Sequence, residues 1–79
     1  MTLQPGIYRH YKGQQYRVIG VAQHSETAEW LVVYQALYGE YGLWVRPLEM
    51  FRETVEVEGE QIARFALLSP EPEAFRRPD

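Results

Sequence analysis

Residues 30–47, WLVVYQALYGEYGLWVRP, narrow the folding options of this chain more than any other stretch. Positions 30–36 are almost all β-branched or aromatic, the side chains that sit best on a pleated surface. Positions 43–47 are similar, and Gly39 and Gly42 between them supply turn conformations that other residues resist. The spacing predicts a β-hairpin turning near Glu40, with Ala36 opposite Trp44 and Tyr34 opposite Arg46. Alternation along the two strands then separates two faces. One carries Leu31, Val33, Leu37, Leu43 and Val45 with Gln35, and its aliphatic character marks it as the core face. The other carries Trp30, Val32, Tyr34, Ala36, Trp44 and Arg46, and an arginine among aromatic rings marks it as the candidate functional surface. A register slip of one residue would mix the two sets.

The rest of the chain reads as short strands fitted around this hairpin. Pro5 and Gly6 open a first strand over residues 7–11, Lys12-Gly13-Gln14 forms a tight turn, and residues 16–22 return antiparallel. Gly20 inside that second strand predicts a bulge or a close backbone approach. Residues 23–27, QHSET, form a polar loop. Pro47 ends the fourth strand because it cannot donate a ladder hydrogen bond. Residues 46–51 then predict one helical turn with Leu48 and Phe51 on the same side. Residues 54–57 alternate as a strand, Glu58-Gly59 turns, and residues 62–68 suit a strand that partners it. From Ser69 the proline-rich, charged SPEPEAFRRPD reads as a frayed tail, with Phe75 a possible anchor back onto the body or onto another subunit. The domain thus spans residues 1–68 and the tail 69–79. Five to six antiparallel strands and one helical turn predict an all-β fold, a small, strongly bent SH3-like barrel. The absence of a ten-residue helical period disfavours an OB-like barrel, which carries a longer helix.

Length and composition bound the function. A 79-residue chain is one domain, near the lower limit for a core without cross-links. With no cysteine there is neither a disulfide framework nor a zinc–thiolate site. No apolar run approaches the ~20 residues that cross a bilayer, and the N-terminus lacks a signal-peptide pattern. A soluble cytoplasmic protein is expected. The formal charge of −3 argues against a nucleic-acid partner, which needs a basic patch.

Several segments together resemble a known family. They are the opening G-x-Y-x-H-Y-K-G (residues 6–13), H-S-E-T (24–27), V-V-Y-Q-A-L-Y-G (32–39), W-V-R-P-x-x-M-F (44–51) and a final R-F (64–65). This pattern, covering roughly residues 6–65, is similar to the small bacterial proteins catalogued as domain of unknown function 1653. The resemblance implies a compact bacterial domain, and it implies no activity, cofactor or catalytic residue.

Two constellations could carry chemistry. Tyr34, Trp44 and Arg46 form the first, with Trp30, Tyr38 and Tyr41 nearby. Arg46 could stack on Trp44 or Tyr34, or present its fork to a ligand carboxylate or phosphate. Aromatic grooves of small barrels accept extended peptides or cage methylated ammonium groups. The plain alternative is that these rings fill the interior and that Arg46 pairs with Glu49 or Glu29. The second constellation is His10, Lys12, His24 and Glu26, joined by Thr27 in the same loop. Two imidazoles and a carboxylate could hold zinc with an open position, yet nothing in the spacing brings the histidines together, and Glu26 and Thr27 suit turn-forming roles. Neither metal nor cofactor is expected. Ser25 and Ser69 are the only serines, and no base is aimed at either. There is no glycine-rich phosphate loop either.

The expectation is a binding module rather than an enzyme. It would hold a peptide segment or small anionic ligand on the face of Tyr34, Trp44 and Arg46, flanked by His10, Lys12 and the loop of His24, Glu26 and Thr27. A homo-oligomer using that face as its subunit interface is the alternative. Single-stranded nucleic-acid binding through Arg9, Lys12, Arg17 and Arg46 is a further one.

Overall fold

Buried and exposed side chains alternate along β1 and β3 with the period of two that a one-sided sheet requires. A computed structural model describes residues 2–73. Its elements are β1 (Gly6–His10), β2 (Gln15–Gln23), β3 (Trp30–Ala36), β4 (Leu43–Pro47), α1 (Leu48–Arg52), β5 (Thr54–Val57), β6 (Glu60–Ala63) and β7 (Phe65–Pro70). The class is all-β and antiparallel with one short helix, as expected.

Successive hairpins join β1 to β4, and β7 returns antiparallel onto the far side of β1, giving a five-stranded sheet ordered β4-β3-β2-β1-β7. The expected barrel does not close. β5 and β6 pair only with each other, so β4 and β7 remain the sheet edges. The strands number seven rather than five or six because the expected strand over residues 62–68 changes sheets at Arg64. There the Arg64 amide donates to the Glu53 carbonyl at 3.0 Å while its own carbonyl accepts from Tyr11 at 2.9 Å. Gly20 falls at a register shift in the β2–β3 ladder, the bulge its position predicted.

β7 continues to Pro70, and the Glu71 amide donates to the Pro5 carbonyl at 2.9 Å. Gly6 makes that closeness possible. Its φ is +142°, and a Cβ there would stand 2.2 Å from the Ser69 carbonyl oxygen. Phe75 lies outside the described residues.

The β3–β4 hairpin corrects two expectations. Tyr34 lies opposite Trp44 and Val32 opposite Arg46, a slip of two positions that moves the turn centre from Glu40 to Gly39 but preserves both faces. Gly39 and Tyr41 adopt positive φ of 60° and 58° to make the turn. The assignment of inside and outside, however, is reversed. Val32, Tyr34 and Ala36 are buried, whereas Leu43 and Val45 are 66% and 59% exposed. The aromatic face is the core face because α1 lands on it. Leu48 and Phe51 of α1, with Phe65 of β7, close over Tyr8, Tyr16, Val18 and Tyr34.

These aromatic rings meet edge to face, Tyr8 with Phe51 at 5.2 Å and Tyr16 with Tyr34 at 5.3 Å, while Phe51 and Phe65 stack in parallel at 4.1 Å. Tyr8 and Tyr16 keep their hydroxyls satisfied at the rim, Tyr8 donating to the Gln4 carbonyl at 2.6 Å. A core of rings with polar tips thus serves a sheet covered on one side by a single helical turn.

Candidate functional site

Where β4 runs past the edge of α1, the inner face opens. Trp44 and Arg46 point to the same face as buried Tyr34 and Val32, yet Trp44 is 61% exposed and Arg46 half-buried. Together with Tyr16, Ala36, Tyr38, Gly39, Glu40 and Gly42 they enclose a cleft of about 470 Å³. The indole of Trp44 folds over Gly42, its Nε1 being 3.4 Å from where a Cβ of that residue would stand. A methyl at position 42 would meet the ring in ordinary van der Waals contact, so the ring and the backbone of the turn already lie close together.

Arg46 is the chemical centre of this cleft. Its guanidinium lies 5.2 Å from the Phe65 ring centroid and 6.0 Å from that of Tyr34. The two rings flank the guanidinium, and its N–H donors form no hydrogen bond among the described residues. The ion pairs among the described residues are Arg17 with Glu71 at 3.2 Å and Arg64 with Glu53 at 3.9 Å, so neither Glu49 nor Glu29 neutralises Arg46.

Beside it, the Tyr16 and Tyr38 hydroxyls share a hydrogen bond of 3.0 Å, and Tyr16 also donates to Gln14 Oε1 at 3.3 Å. Burial, then the bond to Tyr38, pushes the Tyr16 hydroxyl up to about 12. The Tyr16 phenol is therefore neutral near pH 7, and Tyr38 is exposed enough to offer its hydroxyl to a ligand.

His10 belongs to the same end of the molecule. Its ring meets Phe65 edge-on at 4.9 Å, so His10 and Arg46 flank one phenyl group. Its Nδ1 accepts from the Lys12 amide at 3.2 Å. Burial lowers the His10 pKa first, and the charges of Arg46, Arg64 and Lys12 lower it further. A protein of net charge −3 thus carries a locally positive end, with Glu40 the acidic residue on the cleft rim.

His24, Glu26 and Thr27 stand at the opposite end. They form the turn after β2, whereas the cleft sits by Tyr16 at its start, a distance of about 25 Å along a strand at ~3.3 Å per residue. The turn is internally satisfied. His24 Nδ1 accepts from the amides of Glu26 at 3.0 Å and Thr27 at 3.3 Å, and Thr27 Oγ1 accepts from the Glu29 amide. His10, His24 and Glu26 do not converge. Nor do the arginines form a track: Arg9 and Arg17 lie on the outer face, away from Arg46.

Of the expected site, the structure brings Tyr34, Trp44 and Arg46 together with His10 and Lys12 nearby. Reading the sequence did not find Phe65 as the support for Arg46, because only the return of β7 onto β1 delivers it. The Tyr16–Tyr38 hydroxyl pair was equally hidden, although β2 and β3 pairing in register would have indicated it. A larger groove of about 580 Å³ lies nearer the other end, between Leu3, Ile19, Val21, Trp30 and Val33. Its lining is largely apolar, with Thr2 and Glu73 at the margin and no cationic side chain, so the arginine cleft is the better candidate.

The molecule is therefore an antiparallel open-sheet domain with an arginine-bearing aromatic cleft at one edge. Comparison with protein families narrows this: the model described as a protein of unknown function (DUF1653) matches residues 6–67, and the chain belongs to that family. It is similar to a solved structure, that of a protein belonging to DUF1653 from Bordetella bronchiseptica, at 40% identity and a TM-score of 0.75. The likeness covers 87% of this chain and 95% of that one. Comparison with curated proteins gives no match. No helix among the described residues is long and apolar enough to cross a membrane.

Proposed function

We propose that the protein is a binding module that holds a carboxylate-bearing ligand, a peptide segment or a small organic acid, in the cleft of Tyr34, Trp44 and Arg46. One observation carries this reading: a guanidinium braced on two aromatic rings has no carboxylate partner among the described residues. A half-buried arginine of this kind has lost part of its hydration and gains by accepting an anion bidentately. Arg46, Arg64 and Lys12 stand close enough to His10 to add to the effect of burial in lowering its pKa, and this grouping of cations favours an anion over a cation. The exposed Trp44 ring and the Tyr38 hydroxyl would contact the neutral body of the ligand.

Chemical-shift mapping tests this with three probe sets: short peptides with free C-termini, the same peptides amidated, and small dicarboxylates such as succinate. Shifts of the Trp44 indole and Arg46 side-chain signals with free-acid peptides but not amidated ones would identify a terminal carboxylate. Arg46→Ala is expected to weaken binding about tenfold to a hundredfold, the range of a charged hydrogen bond of ~1.5–3 kcal/mol. Arg46→Lys should recover little of it, because an ammonium cannot reproduce the planar fork. Absence of shifts with all three sets at millimolar concentration overturns the reading.

A further inference from the structure

The outer edge of β4 carries a second feature that the cleft does not use. The Ala36 amide donates to the Gly42 carbonyl at 3.0 Å, which makes this a hydrogen-bonded pair of the β3–β4 ladder. Alternation along an antiparallel ladder then turns the N–H and C=O of Trp44 and Arg46 toward β3, and those of Leu43 and Val45 away from it. β4 is a sheet edge, and no loop among the described residues bonds to those outward groups. The residues that carry them are apolar and exposed: Leu43 at 66% and Val45 at 59%, with Trp44 at 61% between them. Edge strands are ordinarily blunted by charge, proline or a bulge. Here such devices are confined to the end of the strand, Arg46 and Pro47, and the Leu43–Val45 stretch carries none.

We infer that β4 is a self-association edge, on which a second copy of this chain pairs antiparallel about a two-fold axis through Trp44. The edge is complementary to itself in that register. Leu43 of each copy meets Val45 of the other in two hydrogen-bonded pairs, so all the outward N–H and C=O groups of both residues are satisfied at once. Leu43 and Val45 stand on one face and extend the apolar strip begun by Val33, while the two Trp44 residues meet on the other. Arg46, the charged residue of the strand, falls opposite Gly42 of the second copy, so like charges do not meet across the axis. A foreign extended peptide could satisfy one edge. A second copy satisfies two and covers both apolar strips, which is why self-pairing is favoured. The contact is small, at the low end of specific interfaces, so the dimer forms at high concentration. This inference stands on backbone geometry and does not rest on the ligand reading, although Trp44 belongs to both surfaces.

Light scattering after size exclusion tests it across about 10 µM to about 1 mM, the range of weak association. The mass is expected to rise from 9.3 kDa toward twice that value. Val45→Pro removes an outward N–H without touching the bonds to β3, so it should keep the folded circular-dichroism spectrum and stay at the mass of one chain throughout. Arg46→Ala should dimerise like the unmodified protein, which separates this test from that of the ligand cleft. If Val45→Pro fails to fold, amide exchange in the unmodified protein decides. Leu43 and Val45 amides that slow with concentration support the dimer, and rates independent of concentration overturn it. A single-chain mass at about 1 mM, a dimer that persists in Val45→Pro, or a monomer that instead takes up an added extended peptide along β4 would each overturn it as well.

Discussion

Tyr16 shows how one side chain joins core to site. Its ring packs edge-on against Tyr34 and Phe65, while its hydroxyl reaches the cleft and bonds Tyr38 at 3.0 Å. Burial chiefly, and the Tyr38 bond next, raise its pKa from 10.0 to about 12. Because the folded value lies above the unfolded one, the folded state holds this proton more tightly. The resulting stability is complete below pH 10 and is lost as pH rises from there through about 12. Burial raises Tyr8 as well, adding to the same alkaline loss. His10 works in the opposite direction: its folded pKa is lowered from 6.5, so its contribution is present above that value and lost as pH falls through the folded one. Urea unfolding against pH should therefore show a plateau around neutrality that declines on both sides. Tyrosinate absorbance should reveal a late-titrating tyrosine, and Tyr38→Phe should move it back toward the ordinary range by removing its hydrogen-bond partner. A phenol that titrates no later than the exposed tyrosines would contradict the packing at Tyr16.

Among the elements, α1 has the most influence for its length. Five residues with no side-chain cap cannot form a stable helix alone. The helix exists because Leu48 and Phe51, 1% and 2% exposed, fill the concave face. Phe51→Ala should cost about 3–5 kcal/mol through the cavity left against Tyr8 and Phe65. A domain of this size has about 4–12 kcal/mol in total, so this variant lies near the folding limit. Met50→Ala, on the exposed side of the same turn, should stay within about 0.5 kcal/mol of the unmodified protein. Denaturant midpoints check both. This helical turn was legible in the sequence, as were the bulge at Gly20 and the bounds of β5, because each depends on a local signal from proline, glycine or alternation. The facing of the β3–β4 hairpin was not. Both of its faces are apolar, and the covered one is decided by where Leu48, Phe51 and distant Phe65 land. The same non-local packing leaves Arg46 half-exposed on the core face, so Tyr34, Trp44 and Arg46 do lie together while the surface around them is turned inside out.

The whole molecule has two levels of cooperativity built into it. The five-stranded sheet carries the core: Val18 and Val32 are 1% and 0% exposed, and every interior strand is paired on both sides. The β5–β6 hairpin stands apart from that sheet, with Val55 and Ile62 half-buried and its other residues exposed. Two strands without a covered face are marginal in water, so this arm borrows its order from the junction at Glu53 and Arg64, where a backbone bond of 3.0 Å and an ion pair of 3.9 Å tie it down. Such a segment opens without unfolding the rest. Amides of residues 54–63 are therefore expected to exchange orders of magnitude faster than those of Val18, Val32 and Tyr34, whose exchange should track global unfolding. Gly59→Val sharpens the comparison, because φ of +83° at the turn is strained for a β-branched residue. It should accelerate exchange throughout the arm and leave the slowest sheet amides unchanged. If the slowest amides accelerate equally, the arm is part of the core's cooperative unit, and the stability of the sheet depends on a hairpin that barely touches it.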